Sequence, residues 1–214
     1  MFHLLSLNKD TLGEACGIFA GDGSIYATAR SYILEIRSTK DEMQYYRSHV
    51  KPLFEKVFGR ELRLVKRKHQ NGYVICIRAC GGQAMKTFHT YLQFPIGRKA
   101  HALRMPKLIF NNHEYWKAYV RGVFDSSGSL YLRRTSGKYR NPILEISSPS
   151  LAHLVQLKEI LRDLDFHFWL EKSNLKIRLA GRKNMERFFK EINPHNNAKQ
   201  KKFAEIGADE ILIC

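Results

Sequence analysis

Asp22 raises the first chemical question, because its carboxylate sits one residue before a glycine inside a segment that occurs twice. The first copy is Leu12-GEACGIFAGDGSIYA-Thr28 and the second is Tyr115-WKAYVRGVFDSSGSLYL-Arg133. Gly17 pairs with Gly122, Phe19 with Phe124, Gly23 with Gly128, Ser24 with Ser129 and Tyr26 with Tyr131. Asp22, however, is matched by Ser127. A carboxylate can hold a hard divalent cation, whereas a neutral hydroxyl is a poor ligand for one. A bland reading of Asp22, as a helix-end or turn aspartate, stands beside that one. A duplication of this kind implies two similar half-domains in a pseudo-twofold arrangement.

Each copy opens the same series of elements. In the first half, Thr11–Ala20 reads as a helix, and strands near Ser24–Arg30 and Tyr32–Ser38 alternate apolar with polar residues. An amphipathic helix from Thr39 or Lys40 to about Phe58 is ended by Gly59. Leu62–Lys68 and Tyr73–Ala79 form a hairpin around Asn71-Gly72. A helix from about Gly82 to Leu92 and a basic helical stretch near Lys99 close the half. The second half repeats the order. It has a helix over Glu114–Phe124, strands near Ser129–Arg134 and Pro142–Ser147, and a helix over Ser150–Leu164. A hairpin of Phe166–Glu171 with Leu175–Leu179 precedes helices at Lys183–Ile192 and Asn197–Ile206. The expected boundaries are 1–106 for the first repeat, 107–112 for a linker and 113–214 for the second repeat.

Lysine and arginine outnumber acids 36 to 20, giving a net charge of +16 and a pI near 9.8. So large an excess calls for an anionic polymer as partner. The basic residues are spread through strand-like segments rather than gathered on one amphipathic helix, which favours nucleic acid over a membrane surface. No stretch approaches the length of a membrane span, and the opening MFHLLSLNKD is too short for a secretory signal. Cys16, Cys76, Cys80 and Cys214 lack zinc-site spacing and read as reduced thiols of an intracellular protein, in the cytoplasm, nucleoid or an organelle matrix. Nine scattered histidines show no paired metal-ligand spacing.

The two motif copies, mapped onto Ala15–Gly23 and Val120–Gly128, resemble those of single-chain LAGLIDADG homing endonucleases, and the resemblance runs over nearly the whole chain. It implies an α+β fold of two pseudo-symmetric αββαββα half-domains, with the motif helices packed along the pseudo-twofold and two four-stranded sheets forming a β-saddle over DNA. Gly17 and Gly122 then serve close helix approach, since each costs roughly 1 kcal/mol against alanine in mid-helix. Gly23 and Gly128 close the helices where a left-handed or tight turn needs them.

The resemblance also implies metal-dependent phosphodiester hydrolysis with Mg²⁺ or another divalent ion. Asp22 is the implied metal-binding acid, with the Gly21 carbonyl as a second ligand and Ser127 in the position of the missing acid. Asp125, two helical residues from Ser127, is rotated by about 200° and points elsewhere. Lys199 falls in the segment that bears the family's active-site lysine, and Lys99 is its first-half counterpart. Ser38 and Ser148 occupy the place of polar groups that hold solvent near the scissile phosphate. Strand alternation assigns Ser24, Tyr26, Thr28, Arg30, Ile33, Glu35, Arg37, Arg63, Arg67 and Arg78 to the DNA face of the first half. Tyr131, Arg133, Glu145, Ser147, Lys176 and Arg178 are assigned to that of the second. Arginine and lysine can read guanine edges, and glutamate can accept from cytosine. Trp169 belongs to this face or wedges against the core. The implied partner is a long asymmetric duplex site bound by a monomer, with cleavage impaired or strand-biased at Ser127. Two alternatives are a non-cleaving DNA-binding regulator and a maturase that binds intron RNA.

Overall fold

Asn8 starts the first helix: its side chain accepts a hydrogen bond from the Thr11 amide (2.7 Å), and α1 runs over Lys9–Asp22. The structure is a computed structural model that describes residues 7–27, 31–69, 72–82, 86–99, 101–134 and 140–208. Strand β1 (Gly23–Ala27) leaves α1 directly and pairs with β2 (Tyr32–Thr39). A helical run over 40–58 follows and contains a π-helical stretch, Tyr46–Val50, before the regular helix α2 (Lys51–Phe58). Pro52 has no amide hydrogen to donate to the preceding turn, which accounts for the irregularity just ahead of it. Gly59 ends α2 at φ 62°, as its left-handed C-terminal position requires.

Strands β3 (Arg63–His69) and β4 (Gly72–Cys80) complete the first sheet, with Gln70 and Asn71 of their turn outside the described residues. Of the helix expected over 82–92, a π-helical stretch, Lys86–Tyr91, is described. The helix expected near Lys99 is instead a single turn, in which the Ala102 and Leu103 amides both donate to the Lys99 carbonyl (3.1 and 2.8 Å). Pro95, Gly97 at φ 82° and Pro106 bracket that turn and prevent its extension.

The second repeat begins with α3 (Trp116–Ser127), followed by β5 (Gly128–Arg134), β6 (Arg140–Ser147) and α4 (Leu151–Asp163), which Ser150 caps. Strands β7 (Trp169–Glu171) and β8 (Lys176–Ala180) and helices α5 (Arg182–Ile192) and α6 (Asn197–Ala208) complete it. Strand β7 is shorter than expected because Phe166 and Phe168, each 2% exposed, turn into the core instead of joining the hairpin. The sheet orders β1-β2-β4-β3 and β5-β6-β8-β7 are the same, and every pairing between their strands is antiparallel. This is the α+β plan of two four-stranded sheets with helices that the resemblance implies.

Helices α1 and α3 meet back to back. A Cβ added at Gly17 would lie 2.8 Å from Val123 N and 2.9 Å from Gly122 Cα, and would strike Tyr119 O; one at Gly122 would lie 2.7 Å from Ile18 N. The contact ridge is longer than the two mid-helix glycines suggest. Gly13 approaches Tyr115 O and Ala118, and Gly21 meets the side chains of Ser126 and Ser127. Spacing of four residues puts Gly13, Gly17 and Gly21 on one face of α1.

Gly23 and Gly128 have a different cause from the one expected. Their φ values of −81° and −88° are ordinary extended backbone. What excludes a side chain is the ring of Phe19 or Phe124, folded back over the helix end where a Cβ would be. Those rings anchor the aromatic cores: Phe19 packs with Phe88 and Phe94, and Phe124 with Phe188 and Phe189.

Candidate functional site

Both helices end at the positions the sequence contrasts: Asp22 is the last residue of α1 and Ser127 the last of α3. The two ends adjoin, since a Cβ at Gly21 would crowd the Ser127 hydroxyl. Asp22 is half-buried, and its Oδ2 accepts a hydrogen bond from the Tyr46 hydroxyl at 2.7 Å. Burial pushes its carboxyl up to about 7, the nearby Glu42 charge adds to the rise, and Tyr46, Lys199 and Lys99 oppose it.

Glu42 is the group that strand and motif reasoning missed. It ends the 3-10 turn Lys40–Glu42 at the start of the helical run, accepts from the Ser38 hydroxyl, and also accepts from Asn196 Nδ2 of the second repeat. The fully buried Asn196 also donates to the Asp125 carbonyl (3.0 Å), so it clasps Glu42 to the end of the other motif helix. Its sequence signal was faint: a glutamate four residues after Ser38. The offset of 110 that carries Leu34 to Leu144 carries Glu42 to Ala152, so the second repeat has no equivalent acid there.

The two lysines occupy equivalent places. Lys99 Nζ donates to the carbonyls of Phe19 (3.1 Å), Ala20 (2.8 Å) and Gly21 (2.8 Å). Lys199 Nζ donates to those of Phe124 and Asp125, the latter at 2.6 Å. Each ammonium thereby neutralises the negative end of a motif helix and satisfies its last carbonyls. Burial lowers both lysines, Lys99 to about 8. The Gly21 carbonyl, expected to be a metal ligand, is turned to Lys99 on at least one lone pair.

The serines separate. Ser38 joins Glu42, whereas Ser148 is buried, with its hydroxyl 2.9 Å from His153 Nδ1, and His153 Nε2 lies 2.7 Å from the Tyr119 hydroxyl. Ser148 therefore faces the core, not solvent beside a phosphate. Burial drops His153 to about 3, so this network is neutral. Asp125 is 1% exposed; its Oδ2 accepts from the His195 amide (2.8 Å) and the Tyr45 hydroxyl (3.4 Å), while burial raises its carboxyl to about 6.

On the sheets, the register places the expected DNA-facing residues in shared rows. Ser24 lies opposite Glu35, Glu35 opposite Arg78, Arg78 opposite Arg63, and Tyr26 opposite Ile33. Arg37 and Arg67 share that face by alternation and are exposed. In the second sheet Ser129, Glu145, Arg178 and Trp169 form the equivalent row, with Tyr131 and Arg133 on the same face and Ser147 opposite Lys176. Trp169 is 39% exposed on this face and does not wedge into the core. Thr28 and Arg30 lie outside the described residues.

The glutamates on these faces are engaged by cations. Glu35, 1% exposed, is ion-paired with Arg37 (3.3 Å), Arg67 (3.3 Å) and Arg78. Glu145 pairs with Lys176 and Arg178, each at 2.7 Å, and accepts from the Tyr131 hydroxyl at 3.2 Å. Burial alone would raise the Glu145 carboxyl, yet these two cations hold it below the ordinary range. Each glutamate thus fixes a fan of basic side chains instead of offering a free acceptor to a base.

The homing endonuclease I-WcaI bound to its DNA recognition sequence is similar, with 19% identity, a TM-score of 0.59, and coverage of 92% of this chain and 87% of that one. I-DmoI in complex with DNA and calcium gives 14% identity and a TM-score of 0.56, covering 85% and 86%. I-SmaMI, bound to uncleaved DNA target with calcium ions, gives 10% and 0.60, covering 92% and 88%. At these identities the likeness establishes the fold. No curated protein matches the sequence, and no helix of the described residues is long and apolar enough to cross a membrane. The sequence profile of the WhiA LAGLIDADG-like domain matches residues 14–80 and 116–206, and the chain belongs to that family.

Proposed function

We propose that the protein binds duplex DNA across its two basic sheets and hydrolyses phosphodiester bonds with a divalent ion, cutting one strand in preference to the other. The observation that carries this reading is the hydrogen bonding that fixes two carboxylates of the first repeat, Asp22 by Tyr46 and Glu42 by Ser38 and Asn196. The first repeat alone supplies two carboxylates at the junction of the motif helices, and the like charge of Glu42 contributes to the raised Asp22 carboxyl.

The carboxylate oxygens of Asp22 and Glu42 are the donors that Mg²⁺ prefers, and these two residues would hold it. When bound, such an ion supplies charge relief at the phosphate and an acidified water. Tyr46 holds the Asp22 carboxylate in one orientation, and Asn196 and Ser38 do the same for Glu42. Lys99 and Lys199 place positive charge beside the pair. The Glu35 and Glu145 fans aim arginine and lysine at phosphate and guanine edges, and the differing residues of the two sheets imply an asymmetric site. The motif helices pack within one chain, consistent with a monomer.

A second reading, DNA binding without cleavage, draws support from the second repeat, where Ser127 replaces the acid and Ser148 is buried beneath His153. Selecting bound duplexes from a random library and incubating them with Mg²⁺ tests both. Nicks that require Mg²⁺ and vanish in Asp22→Asn support hydrolysis; specifically bound duplexes left intact on both strands refute it.

A further inference from the structure

Histidines that show no ligand spacing in sequence are brought together by the fold, about two helical turns along α1 from Asp22. Glu14 lies in the second turn of α1, His49 in the π-helical stretch Tyr46–Val50, and His195 between α5 and α6. Glu14 Oε1 is 2.6 Å from His49 Nε2 and 2.8 Å from His195 Nδ1, and the two ring nitrogens are 3.1 Å apart. We propose that Glu14, His49 and His195 form a binding site for a borderline first-row divalent ion, zinc foremost, which pins the first repeat to the second.

The donor chemistry selects the ion. Two imidazole nitrogens and one carboxylate oxygen suit Zn²⁺ and its neighbours, whereas Mg²⁺ prefers oxygen throughout. Tetrahedral bonds of about 2.0–2.1 Å separate ligand atoms by roughly 3.3 Å, so the edges of the triangle need to open by about 0.2 to 0.7 Å. Both histidine side chains are about 30% exposed and have room to do so. Their exposure also leaves a fourth position open to water.

The surroundings steady the carboxylate. Glu14 is 2% exposed, and its other oxygen accepts from Arg121 Nη1 at 3.1 Å. Arg121 is held in turn by both Asp10 oxygens (3.0 and 3.2 Å) and the Ile192 carbonyl (2.9 Å). Hydrogen-bonded partners of this kind orient a metal-binding carboxylate. With Asp10 and Glu14 set against Arg121, the pocket carries one net negative charge when both imidazoles are neutral, as metal binding requires. The Tyr45 ring stacks on His49 at 5.5 Å. His49 lies within the π-helical stretch, and such irregularities concentrate at functional positions. Eight residues of helix, about 12 Å, separate Glu14 from Asp22, so this site is distinct from the acid pair.

Titrating the metal-stripped full chain with Co²⁺, read by visible ligand-field absorption, tests the proposal. One equivalent is expected to give the intense band of a four- or five-coordinate ion. Zn²⁺ should bleach that band and raise the thermal midpoint, and Mg²⁺ should do neither. Asp22→Asn should leave the band intact, while His49→Gln and His195→Gln should each weaken binding by about tenfold or more. No band, or a band that survives both histidine changes, overturns the proposal and leaves the triad an ion-paired network only. If a variant fails to fold, histidine side-chain spectra of the unaltered chain decide: Zn²⁺ must move the signals of two imidazoles among the nine. Movement of none, or of a different set, refutes it.

Discussion

At the end of α1, Asp22 is held by Tyr46 and neighboured by Glu42, which Ser38 braces. At the end of α3, Ser127 occupies the same place, Ala152 stands where Glu42 would, and the serine that answers Ser38 is turned under to His153 and Tyr119. The backbone plan, the lysine at each helix end and the glutamate-centred fan on each sheet are common to both repeats. Duplication therefore conserves what folding and electrostatic recognition need, while the acids concentrate in one copy. Burial of the Ser148–His153–Tyr119 network converts polar positions of the second repeat into core.

The comparison breaks most severely if the shared helix contact is disturbed. Gly122→Ala places a methyl group against Glu14 O and Ile18 N; the expected loss is about 3 kcal/mol or more of stability, read by denaturant unfolding. Gly207→Ala, in α6 with nothing within 4 Å, should instead be neutral or stabilising by up to about 1 kcal/mol. If Gly122→Ala proved equally mild, the close approach of α1 and α3 would be wrong.

Next in size are the acids. Asp22→Asn should reduce strand cleavage to background, and Glu42→Gln should reduce it by about 10- to 100-fold with duplex affinity nearly unchanged. Ser127→Asp, by returning a carboxylate to the second repeat, should raise the ratio of double-strand breaks to nicks. A Glu42→Gln protein that cuts at the parental rate would remove Glu42 from the site.

A smaller effect concerns pH. The Asp22 carboxyl is raised from 3.8 to about 7 in the folded chain, so between those values the folded state binds more protons than the unfolded one. Asp125, raised to about 6, adds to the decline of stability over part of this range, and His153, lowered to about 3, opposes it, so the Asp22 contribution is read as a difference between two proteins. The metal-free parental chain should lose stability relative to Asp22→Asn as pH rises from about 4 to 7, by roughly 2 kcal/mol, less than the full linkage of about 4 because Asp22 is half-buried, and the difference should then level off. Parallel profiles of the two proteins over this range would place Asp22 in water instead.

Much of the fold was legible because the chain states it twice. The paired motifs located both motif helices, alternation of apolar and polar residues located the strands that follow them, and strand parity placed Tyr26, Arg37 and Arg78 on one face with Glu35. What escaped was whatever depends on contacts between distant segments. The part of Gly13 and Gly21 in the helix contact shows only once α3 lies against them. Gly23 and Gly128 looked like turn formers, and only the folded-back phenylalanine rings reveal the steric cause. Lys99 falls in a turn because Pro95, Gly97 and Pro106 outweigh its helix-favouring neighbours. Ser38 and Ser148 diverge in role although they hold equivalent positions, since the helices that follow them present different partners, Glu42 and His153. The meeting of His49 and His195, 146 residues apart, left no periodic trace.

Strand-resolved kinetics on a selected duplex test the division of labour between the repeats most directly. With each strand end-labelled separately and Mg²⁺ present, the account predicts that one strand is cut faster, that Glu42→Gln slows that strand, and that Ser127→Asp narrows the gap. Equal rates on both strands, or a preference untouched by either substitution, would contradict it.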